Sequence, residues 1–137
     1  MSVVREQIIQ AIVTALGAEY GIPAPESERD LPVTIVADGA DERADDVYHY
    51  TNLLMPIAVA KAELATDIDR DVMRSQAHDL LSGIISTMFA DETFGGLADG
   101  IEYAGGGVQT ELGKFVFAEA QFTIRYHHVR GDPTTID

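Results

Sequence analysis

The sequence has no cysteine and no tryptophan, and only two of its 137 residues are lysine. Without cysteine the chain has no disulfide framework, no thiolate metal site and no thiol nucleophile, which is compatible with assembly inside a cell. Long apolar runs are also missing, and the apolar pattern of residues 1–16 is interrupted by Arg5 and Glu6. We therefore expect neither a signal peptide nor a membrane-spanning segment.

Basic residues are scarce as a group: nine Lys and Arg stand against 23 Asp and Glu, for a formal net charge of −14. Direct binding of nucleic acid is disfavoured, because it needs clustered cations to replace counterions. Two explanations of the acidity compete. An acidic surface can mimic nucleic acid, or it can stay hydrated in concentrated salt, where repulsion is screened over roughly 3 Å at about 1 M. The few lysines and many aspartates favour a halophilic source.

The length and the 46% hydrophobic content predict a single domain spanning residues 1–137. Two stretches have the apolar spacing of amphipathic helices. The first is predicted over Val3–Leu16, with Ser2 as its N-cap. The second is predicted to begin at Thr66 or Asp67 and to reach about Ala90. Its expected core stripe has eight apolar residues: Ile68, Val72, Ala77, Leu80, Leu81, Ile84, Ile85 and Met88.

Four stretches predict strands: Val33–Ala37, Val47–Leu64, Ile101–Ala104 and Lys114–Tyr126. The second should break at Pro56, because proline cannot donate to a strand ladder. The acidic segment Asp38–Asp46 is interpreted as a polar loop. The resulting order, αββαββ, favours an α+β fold in which an antiparallel or mixed sheet carries both helices on one face.

The last predicted strand has the clearest alternation in the chain. Its even positions are all apolar: Val116, Ala118, Ala120, Phe122, Ile124 and Tyr126. Phe115 and Phe117 place two aromatic rings on the opposite face, where exposed apolar area usually has a partner. A row of alanines in the second strand offers a flat packing surface: Ala58, Ala60 and Ala62.

No group of residues has the spacing of a catalytic or cofactor site. The segment Gly107–Lys114 lacks the glycine and hydroxyl positions of a phosphate loop, and the acidic loop lacks the order of a calcium-binding loop. The adjacent His127 and His128 should face opposite sides of a strand. Arg130-Gly131-Asp132 matches an adhesion tripeptide but is also ordinary turn chemistry. We expect no enzyme activity, no metal and no cofactor.

Several features together resemble a known family. These are the N-terminal amphipathic helix, the segment Asp30-Leu31-Pro32-Val33-Thr34-Ile35-Val36 before an acidic loop, the long apolar helix, and the closing strand that ends in Tyr126-His-His-Val-Arg-Gly-Asp-Pro133. In this order they resemble the tail terminator (tail completion, minor tail U-like) proteins of tailed viruses. The strong acidity and the glycine-rich stretch near Gly105 depart from that family.

The resemblance implies a homohexameric ring in the virion, assembled in the host cytoplasm, that ends the tail tube and joins it to the neck. The implied partners are the tail tube protein and a head-completion or adaptor protein, while DNA passes through the ring without specific binding. Candidate subunit-interface residues in this sequence are Phe115, Phe117, Ala58, Ala60, Ala62, Arg125 and Arg130. The alternatives are another neck ring protein and an acidic nucleic-acid mimic that inhibits a host enzyme.

Overall fold

A computed structural model describes residues 2–21, 32–110 and 114–136. Within these ranges the chain forms two helices and one six-stranded sheet: α1 (Val4–Leu16), β1 (Glu19–Tyr20), β2 (Val33–Asp38), β3 (Glu42–Val47), β4 (Tyr50–Leu64), α2 (Arg70–Phe89), β5 (Gly100–Gln109) and β6 (Phe115–Val129). The sheet order is β1-β2-β4-β6-β5, and β3 also pairs with β4. Only the short β1 pairs in parallel within this sheet. The predicted α+β class is confirmed.

The centre of the sheet is the antiparallel pair β4–β6. It runs unbroken for 15 residues, from Tyr50 opposite Val129 to Leu64 opposite Phe115. The even positions of β6 from Val116 to Tyr126 are at most 2% exposed. The predicted alternation is therefore confirmed, and β6 is longer at its C-terminal end than the sequence indicated.

The predicted break at Pro56 is wrong, since β4 continues through this residue. Beyond Pro56 the strand pairs with β2 over Ile57–Ala62, whereas before it the partner is β3. Pro56 therefore lies where one neighbouring strand gives way to the other. Its carbonyl accepts a hydrogen bond from Gly39 N–H at 2.9 Å on this side. The missing N–H falls in the gap between β2 and β3, so no ladder bond is lost.

The acidic segment after β2 is not a loop throughout. Glu42–Val47 forms β3, which pairs with the start of β4 and is exposed at every residue. We call β3 together with Tyr50–Leu54 the arm, and Val47–Tyr50 its tip. Acidic residues usually favour a solvated loop, but cross-strand bonds to β4 hold this segment extended.

Both helices start later than predicted. Val3, not Ser2, is the N-cap of α1, and no side chain caps that end. In α2 the cap is Asp69, whose carboxylate accepts from the backbone N–H of Asp71 and Val72. The predicted stripe is wrong at its start, where Ile68 is 95% exposed and Val72 is 40% exposed. The buried residues of α2 are Met73, Ala77, Leu80, Ile84 and Met88, so the buried face begins at Met73.

The buried residues of both helices belong to one hydrophobic cluster with the even positions of β6 and the odd positions of β4. Ile8 of α1 and Ile84 of α2 are within this cluster, as are Ile57 and Phe122 of the sheet. Both helices therefore cover the same face of the sheet, as predicted. Neither helix covers the opposite face.

Candidate functional site

On the side of the sheet opposite the helices, three cross-strand rows lie over Ala58–Ala62 of β4 and Phe117–Gln121 of β6, and we call this area the outer face. In the order β2, β4, β6 and β5, these rows are Val33, Ala62, Phe117 and Gln109; Ile35, Ala60, Glu119 and Gly107; and Ala37, Ala58, Gln121 and Gly105. Leu64 and Phe115 pair at one end. The rows contain a single charged residue, Glu119, although the whole chain carries a formal charge of −14. Further along β4 and β6 the same side of the sheet carries Glu42, Glu102 and Arg125.

The predicted interface residues of β4 and β6 lie together on this face. Phe115 and Phe117 are half-buried, and neither belongs to the helix-covered core cluster. Ala62 lies directly opposite Phe117 and is only 2% exposed, while Ala58 and Ala60 are half-buried. Because directly opposed side chains contact each other across a strand pair, the Phe117 ring covers Ala62 and leaves the rest of its surface free.

A groove crosses the outer face where β5 meets β6. The register of β5 shifts between Tyr103 and Gly105, and Gly105 has a φ of +141° that favours glycine. Gly106 faces the helix side, since a Cβ there would lie 3.2 Å from a side-chain carbon of Leu81 in α2, and it would also lie 2.6 Å from the Tyr103 hydroxyl. The resulting groove has a volume of about 320 Å³. It is lined by Gly105–Gln109 together with Phe117, Glu119 and Gln121.

The arm presents apolar side chains at its tip. Tyr48 is 89% exposed and has a φ of 54°, a left-handed conformation that is uncommon for a residue other than glycine. Val47 is 43% exposed. Tyr50 is half-buried, and its ring meets that of His127 edge-on at a centroid distance of 5.1 Å. The tip therefore exposes an aromatic side chain that contributes nothing to the core.

A polar network fixes the base of the arm to α1. Arg5 donates to Asp38, to the Gly39 carbonyl and, at 3.0 Å, to Asp41. The Tyr126 hydroxyl donates to Asp41 at 2.5 Å. Burial raises the pKa of the Tyr126 phenol, and its hydrogen bond to Asp41 raises that pKa further. The connection from β2 to β3 is thus held against both a helix and the central strand.

The pKa of Asp38 shows how strongly this network favours a carboxylate. Burial alone would raise that pKa, but hydrogen bonds from the Tyr20 hydroxyl and the Arg5 guanidinium outweigh it and hold the pKa below its usual range. Asp38 is therefore ionised at neutral pH. Its charge keeps Arg5 bound at the base of the arm.

The two predicted interface arginines lie apart. Arg125 is exposed beside Gly100 and is 3.8 Å from the carboxylate of Glu102. Arg130 is exposed next to the tip, where its backbone N–H donates to the His49 carbonyl at 2.6 Å. The backbone of Arg130 thus lies beside the tip.

The histidines and the adhesion-like tripeptide form no common site. His127 lies 2.8 Å from the Asp99 carboxylate, and the His128 Nδ1 atom lies 2.8 Å from the Val129 carbonyl oxygen. The carboxylate of Asp132 accepts bonds from the hydroxyls of Thr134 and Thr135 at 2.6 and 2.7 Å. These hydroxyl bonds hold the pKa of Asp132 below its usual range and engage it in a turn.

The described residues contain neither a cluster of metal ligands nor a helix that could span a membrane. No group of three or more His, Asp or Glu side chains there could hold a metal ion. None of the helices in those ranges is both long enough and apolar enough to cross a bilayer.

No protein-family model matches the sequence, and neither does the sequence of any curated protein. Among solved structures, one chain of "Virion of native gene transfer agent (GTA) particle" is 13% identical to this one. The match covers 91% of this chain and 92% of that chain, with a TM-score of 0.40. A TM-score this low carries no argument about function.

The sequence predicts that Phe115 and Phe117 lie on the face away from the helices, but it predicts neither the tip nor the groove. The tip had a signal, because Tyr48 and Tyr50 follow directly on an acidic stretch and stand out from it. The signal for the groove is weaker: it is the run Gly105-Gly106-Gly107, which follows the predicted strand Ile101–Ala104. Pairing with β6 keeps these glycines in a strand, and the bulge before them was not visible in the sequence.

Proposed function

We propose that the chain is a structural subunit that assembles with copies of itself into a closed ring, and that this ring is the tail terminator of a tailed virus. The observation that carries the proposal is the outer face, which is apolar or neutral except at Glu119 and lies on the side of the sheet away from both helices. A chain with a formal charge of −14 repels its copies. Association between copies is therefore favoured at a surface with little charge, such as the outer face.

The size of the outer face supports a ring in which each subunit uses more than one patch. Four strands about 4.8 Å apart and about 20 Å of strand length give a flat area of roughly 400 Å². A stable interface buries about 800 Å² on each partner. The outer face alone supplies about half of this. A ring of identical subunits joins two different patches of each copy, and the arm, at the other end of β4 from the outer face, is a second patch.

The element order and the residues that resemble the tail terminator family support the particular role. In this proposal six copies form the ring, which stops tail polymerisation in the virion and contacts the tail tube protein on one side and a neck protein on the other. DNA passes through without specific contacts. The chain needs no catalytic group for this role.

Purified tail tubes of the encoding virus provide the test. We expect the gold-labelled protein to bind only at one end of each tube in electron micrographs, and to prevent further addition of tube subunits. Binding at the capsid vertex instead would indicate another neck ring. Inhibition of a DNA-binding enzyme, without binding to tubes, would indicate the nucleic-acid mimic and would refute the structural role.

A further inference from the structure

We propose that the groove over Gly105–Gln109 is the docking site for the arm tip of a second copy of this chain. This inference rests on the ring assembly proposed above and identifies its subunit contact. The tip is the stretch Val47–Tyr50, with Arg130 beside it. The groove is lined by the glycine run of β5 and by Phe117 and Glu119 of β6.

The tip cannot reach the groove of its own chain. Tyr50 pairs with Val129 at one end of β6, whereas the groove faces Phe117–Gln121 near the other end. The ten residues from Glu119 to Val129 span about 33 Å of extended strand. Both sites belong to one continuous pair of long strands, so their separation is fixed. Any contact between tip and groove must therefore join two copies.

The tip exposes a bulky side chain, and the groove is a recess that could hold one. Tyr48 is 89% exposed in the turn between β3 and β4, and the groove is a recess of about 320 Å³ formed where glycines have no side chains. An aromatic ring that enters the groove would lie beside the ring of Phe117. Paired aromatic rings favour offset or edge-on contact and are worth about 0.5–1.5 kcal/mol beyond their buried area.

The charges of the two sites are complementary. The groove contains one charged residue, Glu119, while the tip has no acidic residue and the backbone of Arg130 lies beside it. Two acidic residues of the arm lie behind the tip and have partners within the arm. Asp46 pairs with Arg43 at 2.7 Å, and Asp45 accepts a hydrogen bond from Asn52 at 2.9 Å. In a chain this acidic, a tip without a carboxylate of its own that lies beside Arg130 is a favourable partner for the groove carboxylate of a neighbouring copy.

Each copy then contributes one tip and one groove. Such a contact is heterologous, and it closes into a ring when the rotation between neighbouring copies divides a full turn. The arm contact also adds to the area that the outer face buries. The Arg5 network at the base of the arm sets the direction in which the tip leaves the subunit.

Cysteine cross-linking tests the contact directly, because the natural chain has no cysteine. Gly107 suits one partner position, since a Cβ there meets no atom within 4 Å and its backbone does not require glycine. Tyr48→Cys and Gly107→Cys are prepared separately, mixed under assembly conditions and oxidised. A disulfide needs Cα atoms within about 7 Å. We expect a covalent dimer from the mixture, and a ladder of cross-linked oligomers from the double variant Tyr48→Cys/Gly107→Cys.

The matched control replaces Gly107→Cys with Glu92→Cys, an exposed position after α2, and is expected to give no covalent dimer with Tyr48→Cys. Charge exchange supplies a second readout. Glu119→Arg and Arg130→Glu should each weaken assembly at least tenfold, and combining them should restore most of it.

The outcomes separate the two proposals. If the natural chain assembles but neither cross-linking nor charge rescue occurs, the tip-to-groove contact is refuted while ring assembly stands. If the natural chain never assembles, including in molar KCl and in the presence of tail tubes, ring assembly itself is refuted.

Discussion

Phe117→Asp separates a role in assembly from a role in the core. Phe117 is half-buried, lies opposite Ala62 and belongs to the outer face. Burying a whole Phe side chain is worth about 1.5–3 kcal/mol, so the half that is still free contributes about 1–1.5 kcal/mol to a subunit contact. A carboxylate left without a partner in that contact costs about 1–3 kcal/mol more. The sum, about 2–4.5 kcal/mol, corresponds to a contact that is weaker by roughly 30- to 2000-fold.

The same substitution should have a small effect on the isolated subunit. Only the packing of Phe117 on Ala62 and some strand propensity are lost, and we expect about 1–2 kcal/mol in the free energy of unfolding. Phe122→Ala is the matched comparison, because Phe122 lies on the same strand, is 1% exposed and faces the helices. Its loss should cost about 3–5 kcal/mol.

Two assays measure the effect on association and the effect on stability separately. Light scattering over a concentration series gives the strength of association, and urea denaturation of the dilute protein gives the free energy of unfolding. If Phe117→Asp associates as strongly as the wild-type protein, the outer face is not an interface. A loss of stability as large as that of Phe122→Ala would show that Phe117 is a core residue.

Three further predictions concern stability, each measured by chemical denaturation. Asp69→Ala should cost about 1 kcal/mol of stability, because it removes the cap of α2. Thr66 does not cap the helix, so Thr66→Ala should change stability by less than about 0.5 kcal/mol. Equal losses from the two variants would contradict the assignment of Asp69 as the cap. Gly83→Ala should stabilise α2 by about 0.5–1 kcal/mol, since a Cβ there meets no atom, and a loss would indicate a hidden contact. Because the pKa of Tyr126 is raised, the folded protein keeps the phenol proton above about pH 10 while the unfolded chain loses it, and the free energy of unfolding should fall as pH rises past about 10. Tyr126→Phe should lack this part of the decline. If Tyr126→Phe has the same alkaline profile as the wild type, the burial of the phenol is contradicted.

Where the sequence predicted the fold well, one periodicity dominated. The alternation in β6 alone indicates which face is dry, and it placed Phe115 and Phe117 on the opposite face. The contacts that decided the remaining elements lie far apart in the chain. Pro56 indicated a break because its missing N–H is a local property, whereas the gap between β2 and β3 that accommodates it is a property of the assembled sheet.

The outer face was partly predictable from strand alternation, whereas the arm and the groove were not. Alternation in β6 places the two phenylalanines on the face away from the helices, and this followed from the pattern. That the three alanines of β4 share this face did not follow, because it depends on the register between two distant strands. The arm did not follow, because Glu42–Val47 has the composition of a solvated loop and is extended only through its pairing with β4. The groove depends on the register shift after Tyr103, which no periodicity in the glycine-rich segment shows.

The most direct test of the central claim is the mass of the assembled protein, measured by light scattering across KCl concentrations up to molar levels. The account predicts a discrete closed species of about six times 14.8 kDa, with no series of larger aggregates. A mass of 14.8 kDa at every salt and protein concentration, unchanged when tail tubes are added, would contradict it.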